Sequence, residues 1–172
     1  MPLKKPTDIP KIPKTRKKKA ESALTAIPEK KPDKIEYYCL SYFKYDRESR
    51  KQLHALTIQT VAEFTSFSYK LNVEVIKEKN VINLVIMGIT PEINVAPEIK
   101  PAECELLLEN LTGNFIVNVV KQDGCINSAE ISFNIYNKEI NILNEFVPQK
   151  TNNRLFCKFK VSPGRNSFPA SK

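Results

Sequence analysis

The chain has 172 residues, with 27 Lys/Arg against 19 Asp/Glu, four cysteines and one histidine. That length is one domain's worth and suffices for a real core. No window approaches the roughly 18 consecutive apolar residues of a membrane span, and no secretory h-region is visible near the N-terminus. The expectation is a non-secreted, cytoplasmic protein whose cysteines stay reduced.

The positive charge is local. Residues 1–34 carry eleven Lys/Arg and four acids, a net of +7, whereas residues 35–172 carry 16 basic against 15 acidic side chains. Six prolines (Pro2, Pro6, Pro10, Pro13, Pro28, Pro32) punctuate the same stretch and leave room for only one helical run, Arg16 to Ile27, which can order against a partner. Such a composition buries too little apolar surface to offset its ordering entropy, so residues 1–34 are expected to form a disordered Lys/Pro-rich tail.

From Ile35 the pattern changes. Ile35 to Tyr45 reads as an aromatic strand. Arg47 to about Phe64 reads as a helix, because Leu53, Leu56, Thr60, Phe64 and Phe67 recur at spacings of 3, 4, 4 and 3, although Thr57, Ile58, Thr60 and Val61 oppose it through their β-branching. Tyr69, Leu71, Val73 and Val75 then alternate with polar residues, which is the period of a strand. Glu78-Lys79-Asn80 links this strand to Val81–Ile89, apolar on both faces and therefore central. Pro91, Pro97 and Pro101 mark a loop or an irregular edge crossing. Cys104, Leu106 and Leu108 alternate with glutamates, Thr112-Gly113 turns into Phe115–Val120, and Asp123-Gly124 signals a hairpin. Ile131, Phe133 and Ile135 follow, then an Asn137-Lys138 turn into Glu139–Leu143. Leu155, Cys157, Phe159 and Val161 make the inner face of the last strand, and residues 162–172 read as a flexible C-terminal tail. The fold expected over residues 35–161 is mostly β, an antiparallel sandwich or barrel of about eight short strands with one helix near its start.

The chemistry-bearing residues are sparse. Lys14, Arg16, Lys17, Lys18 and Lys19 form a cationic block, extended by Lys30 and Lys31; such side chains bind phosphate backbones by displacing condensed counterions and need no fixed geometry. A linker that merely spaces the body is the bland alternative. Tyr38, Tyr42, Lys44, Arg47, Arg50 and Lys51 set rings beside cations and form a secondary surface on which bases can stack. Tyr37, Phe43 and Tyr45 lie on the opposite face of that strand, so only one face is free and the other enters the core.

The cysteines lie 65, 21 and 32 residues apart, without the close pairs of a zinc site, and Cys104 and Cys157 fall on apolar faces. Cys125, beside the Asp123-Gly124 turn, is expected to be exposed, and His54 to sit on a helix surface. Four glycines leave no phosphate-cradling loop. No catalytic residues, metal or cofactor are assigned. The function expected is a non-enzymatic binding module whose arm engages a polyanion: nucleic acid, a ribonucleoprotein or an acidic protein surface. The β body is expected to supply a protein contact or a homo-oligomer interface, with no membrane partner. The alternative is a shell- or particle-like self-assembly subunit with a nucleic-acid-binding arm.

Overall fold

The computed structural model describes Lys18 and residues 30–170. Most of the stretch expected to be a disordered tail, including Lys14, Arg16, Lys17 and Lys19, lies outside the described residues.

Nine strands run in chain order: β1 Tyr37–Asp46, β2 Lys51–Phe64, β3 Tyr69–Glu78, β4 Val81–Pro91, β5 Lys100–Leu108, β6 Gly113–Lys121, β7 Ile126–Asn134, β8 Glu139–Phe146 and β9 Cys157–Val161. They form one sheet of order β8-β7-β6-β4-β3-β5-β2-β1-β9, curled until β8 and β9 face each other in a nearly closed barrel. Hairpins at Arg47–Arg50, Lys79-Asn80, Gln122–Cys125 and Ile135–Lys138 fall between consecutive strands. The Asp123-Gly124 turn has the expected chemistry: Gly124 adopts φ +83°, and the Asp123 carboxylate accepts the Cys125 N–H at 3.0 Å.

Three junctions depart from an antiparallel sheet. β1 and β9 pair in parallel, as do β4 and β6, and β3 meets β5 through one parallel bridge, Lys70 opposite Glu103. The cause is that β5 pairs along β2, so the chain crosses from β4 over the barrel end through residues 92–99. Returning from β5, β6 then lies beside β4 in the same direction.

The helix expected over Arg47–Phe64 is instead a turn followed by strand β2. Leu53 through Ile58 are all buried, so both faces of this strand are covered. Two-sided burial leaves no wet face to mark a period of two, and a helical spacing can be picked from such a run by chance. The β-branched residues are the better guide here, and they prefer the pleated sheet.

The interior is filled by the inward residues of the strands, with Phe43, Leu56, Ile58, Leu71, Ile82, Leu84, Val117, Val119, Ile131 and Phe133 in one cluster. Each such side chain contributes about 1.5–3 kcal/mol through burial. A second, outer cluster of Leu40, Tyr42 and Ala55 lies on the opposite face of β1 and β2 with Tyr38 packed against it. The alternation of rings on β1 therefore sorts as expected, Phe43 inward and Tyr38 outward. The last strand follows its expected alternation from Cys157 onward, but Leu155 is exposed and Phe156 takes the buried place.

His54 is not on a helix surface. It is 3% exposed in the barrel interior, between the Phe43 ring at 5.0 Å and the Phe133 ring at 5.2 Å. Neither ring nitrogen has a hydrogen-bond partner, and burial pushes its pKa down to about 4. Because the folded pKa lies below the ordinary 6.5, the unfolded chain binds the extra proton between those values. Stability is therefore complete above pH 6.5 and falls by up to about 3 kcal/mol as the pH drops to about 4. His54→Leu is expected to flatten this limb in urea titrations between pH 6.5 and 5, and to raise stability at pH 7 by about 1–3 kcal/mol by removing two unpartnered nitrogens. An unchanged pH profile would contradict this assignment.

Candidate polyanion-binding face

The arm enters the body through an anchored segment. The Lys34 N–H donates to the Leu155 carbonyl at 3.0 Å, and Asp33 Oδ1 accepts the Leu155 N–H at 2.9 Å. Glu36 and Tyr37 N–H both donate to the Phe156 carbonyl, and the Glu36 carbonyl accepts from Val61. Residues 33–37 are thus held between the approach to β9 and the end of β2.

Beneath this anchor lies a charged network. Arg154 is 3% exposed, with Nη1 2.8 Å from Glu36 Oε1 and Nη2 4.0 Å from Asp123 Oδ2. Lys121 Nζ reaches Glu36 Oε2 at 2.6 Å, and both cations lie over the Phe156 ring. Burial alone would raise the Glu36 pKa, but hydrogen bonds from Lys121 and Arg154 outweigh it and hold the carboxyl below its ordinary value. This cluster is an internal clamp for the anchor and offers no open anion site.

The outer face of β9 and β1 offers more. The strict Cys-Lys-Phe-Lys-Val alternation of β9 turns Cys157 and Phe159 inward and leaves Lys158 and Lys160 exposed. Parallel pairing sets Tyr38 opposite Lys158 and Leu40 opposite Lys160. Lys160 Nζ sits 3.7 Å from the Tyr38 ring centroid, within cation–π range. Among the described residues neither lysine is in an ion pair. Further along, the Arg165 guanidinium lies over the Tyr42 ring at 5.8 Å and reaches Glu103 at 3.4 Å. Arg165 is held by residues 162–168, which follow the free edge of β1: Ser162 N–H donates to the Ser41 carbonyl, and Asn166 Oδ1 accepts the Phe43 N–H. Residues 162–168 of the expected C-terminal tail thus run beside β1.

The secondary surface read from the sequence is split by the fold. Tyr38 stays on the outer face. Tyr42 is buried, its hydroxyl bonded to Thr57 and donating to Glu105, and Lys44 pairs with the same carboxylate. Lys51 pairs with Glu109. Arg47 and Arg50 are exposed in the β1–β2 turn, about 30 Å from the arm anchor along the ten residues of β1. Of the arm block, Lys18, Lys30 and Lys31 are exposed. Lys158 and Lys160 were missed. Their outward alternation was legible, but their place beside Tyr38 depends on a parallel pairing that no local pattern encodes.

The thiols are quiet. Burial pushes Cys39 up to about 12 and Cys157 well above its ordinary value. Cys125 is buried, not exposed, because residues 150–154 fold over it, and burial raises its pKa as well. Among the described residues, no group of three or more His, Cys, Asp or Glu side chains is arranged to hold a metal ion. Among the same residues, no helix is long and apolar enough to cross a membrane.

Comparison with protein families, curated sequences and solved structures gives no match.

Proposed function

We propose that this barrel is a non-enzymatic binding module whose basic arm engages a polyanion, with the outer face of β9 and β1 as a second contact. The observation that carries the reading is the anchor at Leu155, three residues or about 10 Å along the chain from Lys158. Through it the cationic block of Lys14, Arg16, Lys17, Lys18 and Lys19 joins Lys30, Lys31 and Lys34 near the Lys158/Tyr38/Lys160 stripe. Cations in series suit a linear phosphate backbone, and the Tyr38 ring, with the Lys160 ammonium over its face, helps to hold one of them in place. Nucleic acid is a polyanion of that form.

The interior supports a binding role over a reaction. The one histidine is enclosed by phenylalanines, and burial keeps the thiols in their unreactive protonated form.

The test is a full-length variant with Lys14, Arg16, Lys17, Lys18 and Lys19 replaced by Gln, compared with the parent on structured RNA and duplex DNA across a salt series. The parent is expected to bind with affinity that falls steeply with salt. The variant should lose about 4.5 units of the log–log slope on duplex DNA, near 0.9 for each phosphate neutralised. Equal affinity and equal slope would remove the arm from the function. Binding of neither nucleic acid by the parent would move the proposal to an acidic protein surface.

A further inference from the structure

The sheet does not close. At the β8–β9 seam, β9 turns its Cys157 and Phe159 N–H groups toward β8, yet no strand ladder forms there. Asn127 Oδ1 accepts the Cys157 N–H at 2.7 Å, and Glu145 Oε2 accepts the Phe159 N–H at 3.3 Å. Side chains thus already serve the donors that an incoming strand would seek. Beside them lies a groove of about 500 Å³ with apolar walls, including Ile35, Phe146, Val147 and Leu155, and with Glu145 at its edge. Phe146, Val147 and Leu155 remain 38–40% exposed, a cost to an isolated body.

One segment of this chain fits that groove by period and reach. Ala20, Ala23, Leu24 and Ile27 recur at i, i+3, i+4 and i+7, one face of a helix. On a strand, Leu24 and Ile27 would point to opposite sides. Lys18 lies half a helical circumference from that face, and its side chain is exposed. Pro28 stops a helix at Ile27. From Ile27 to Asp33 is six residues, at most ~20 Å, and Asp33 is bonded to Leu155 on the groove wall.

We propose that residues 16–27 dock in the β8–β9 groove as a short amphipathic helix, with Leu24 and Ile27 against Phe146, Val147 and Leu155. An isolated helix of this length is marginal in water, so it forms on contact with the groove. The short tether supplies a high effective concentration, and a weak contact suffices. Docking would bring Arg16–Lys19 to the body surface next to the β9 lysines. It goes beyond the polyanion reading, since it concerns a contact made without any partner.

The experiment is amide hydrogen exchange on the full-length protein and on the full-length double variant Leu24→Asp/Ile27→Asp. Exchange over residues 143–147 and 155–159 is expected to be several-fold faster in the variant, with β3 and β4 unchanged as a control for global unfolding. A synthetic peptide of residues 14–29 should restore the protection saturably. Identical exchange in the two proteins would overturn the proposal. So would protection that rises with protein concentration, which assigns the segment to a second copy. Protection confined to residues 61–64 and 88–89 would equally overturn it, placing the segment in the neighbouring depression of about 400 Å³ instead.

Discussion

Arg154→Ala is expected to lower stability by about 3 kcal/mol in urea unfolding at pH 7, from a lost charged hydrogen bond together with the lost packing of the Arg stem. The side chain is almost wholly enclosed, stacks on Phe156 and takes up one oxygen of Glu36. Its removal leaves a cavity against Phe156 and returns Glu36 to Lys121 alone. Arg154→Met keeps much of the stem and should recover part of the loss. The double variant Arg154→Met/Glu36→Gln is expected to be more stable than the two single losses sum to, because each single loss already counts the shared Arg154–Glu36 pair, although Lys121 then lacks its carboxylate. The pH profile provides a second reading. Glu36 has a folded pKa below the ordinary 4.5, so its contribution is present above that value and is lost as the pH falls through the lower folded value. Arg154 variants should lose part of this acid limb and leave the His54 limb intact. Additive single losses would mean that Arg154 acts through packing and not through Glu36.

Asn127→Ala is expected to cost about 4 kcal/mol, roughly 1 kcal/mol for each hydrogen bond removed. Asn127 Oδ1 accepts from Phe156 and Cys157 at 2.8 and 2.7 Å, and Nδ2 donates to Ile126 and Arg154 carbonyls at 2.9 and 2.8 Å. One buried amide therefore stands in for the ladder that is missing between β7 and the approach to β9. The loss should be local before it is global. Amides of Phe156, Cys157 and Phe159 should exchange faster in the variant, while the β3–β4 hairpin keeps its protection. Asn127→Asp keeps an oxygen to accept both N–H groups but buries a charge and deletes both donated bonds, so it should be no better than Ala. Uniform loss of protection in every strand would contradict a seam-specific role for this residue.

Where the sequence was legible, one face of a strand was wet. Leu71, Val73 and Val75 of β3, and Ile131 and Phe133 of β7, alternate with polar neighbours, and they pack on the core as their period requires. The turns were legible as well, because Asp123-Gly124 and Asn137-Lys138 have few other uses. β2 was misread because it is buried on both sides, which erases the period of two and leaves spacing without meaning. His54 and Cys125 were misplaced for a related reason. Each was judged by its immediate neighbours, whereas its burial is imposed from afar: Phe133 packs on His54, and residues 150–154 cover Cys125. The site divided along the same line. The cationic arm is a matter of composition and needs no fold to be seen. Tyr38 and the β9 lysines are more than a hundred residues apart in sequence and meet only through the parallel β1–β9 pairing.

The measurement that bears most directly on the reading of arm and barrel face as one polyanion-binding surface is the salt slope of RNA binding by full-length Lys158→Glu/Lys160→Glu. Both side chains are exposed, so the barrel is expected to keep its stability. Binding is predicted to weaken at every salt concentration, with a slope lower by about two, close to one for each phosphate no longer neutralised. A slope and affinity equal to those of the parent would contradict that reading, and would leave the barrel face outside the site.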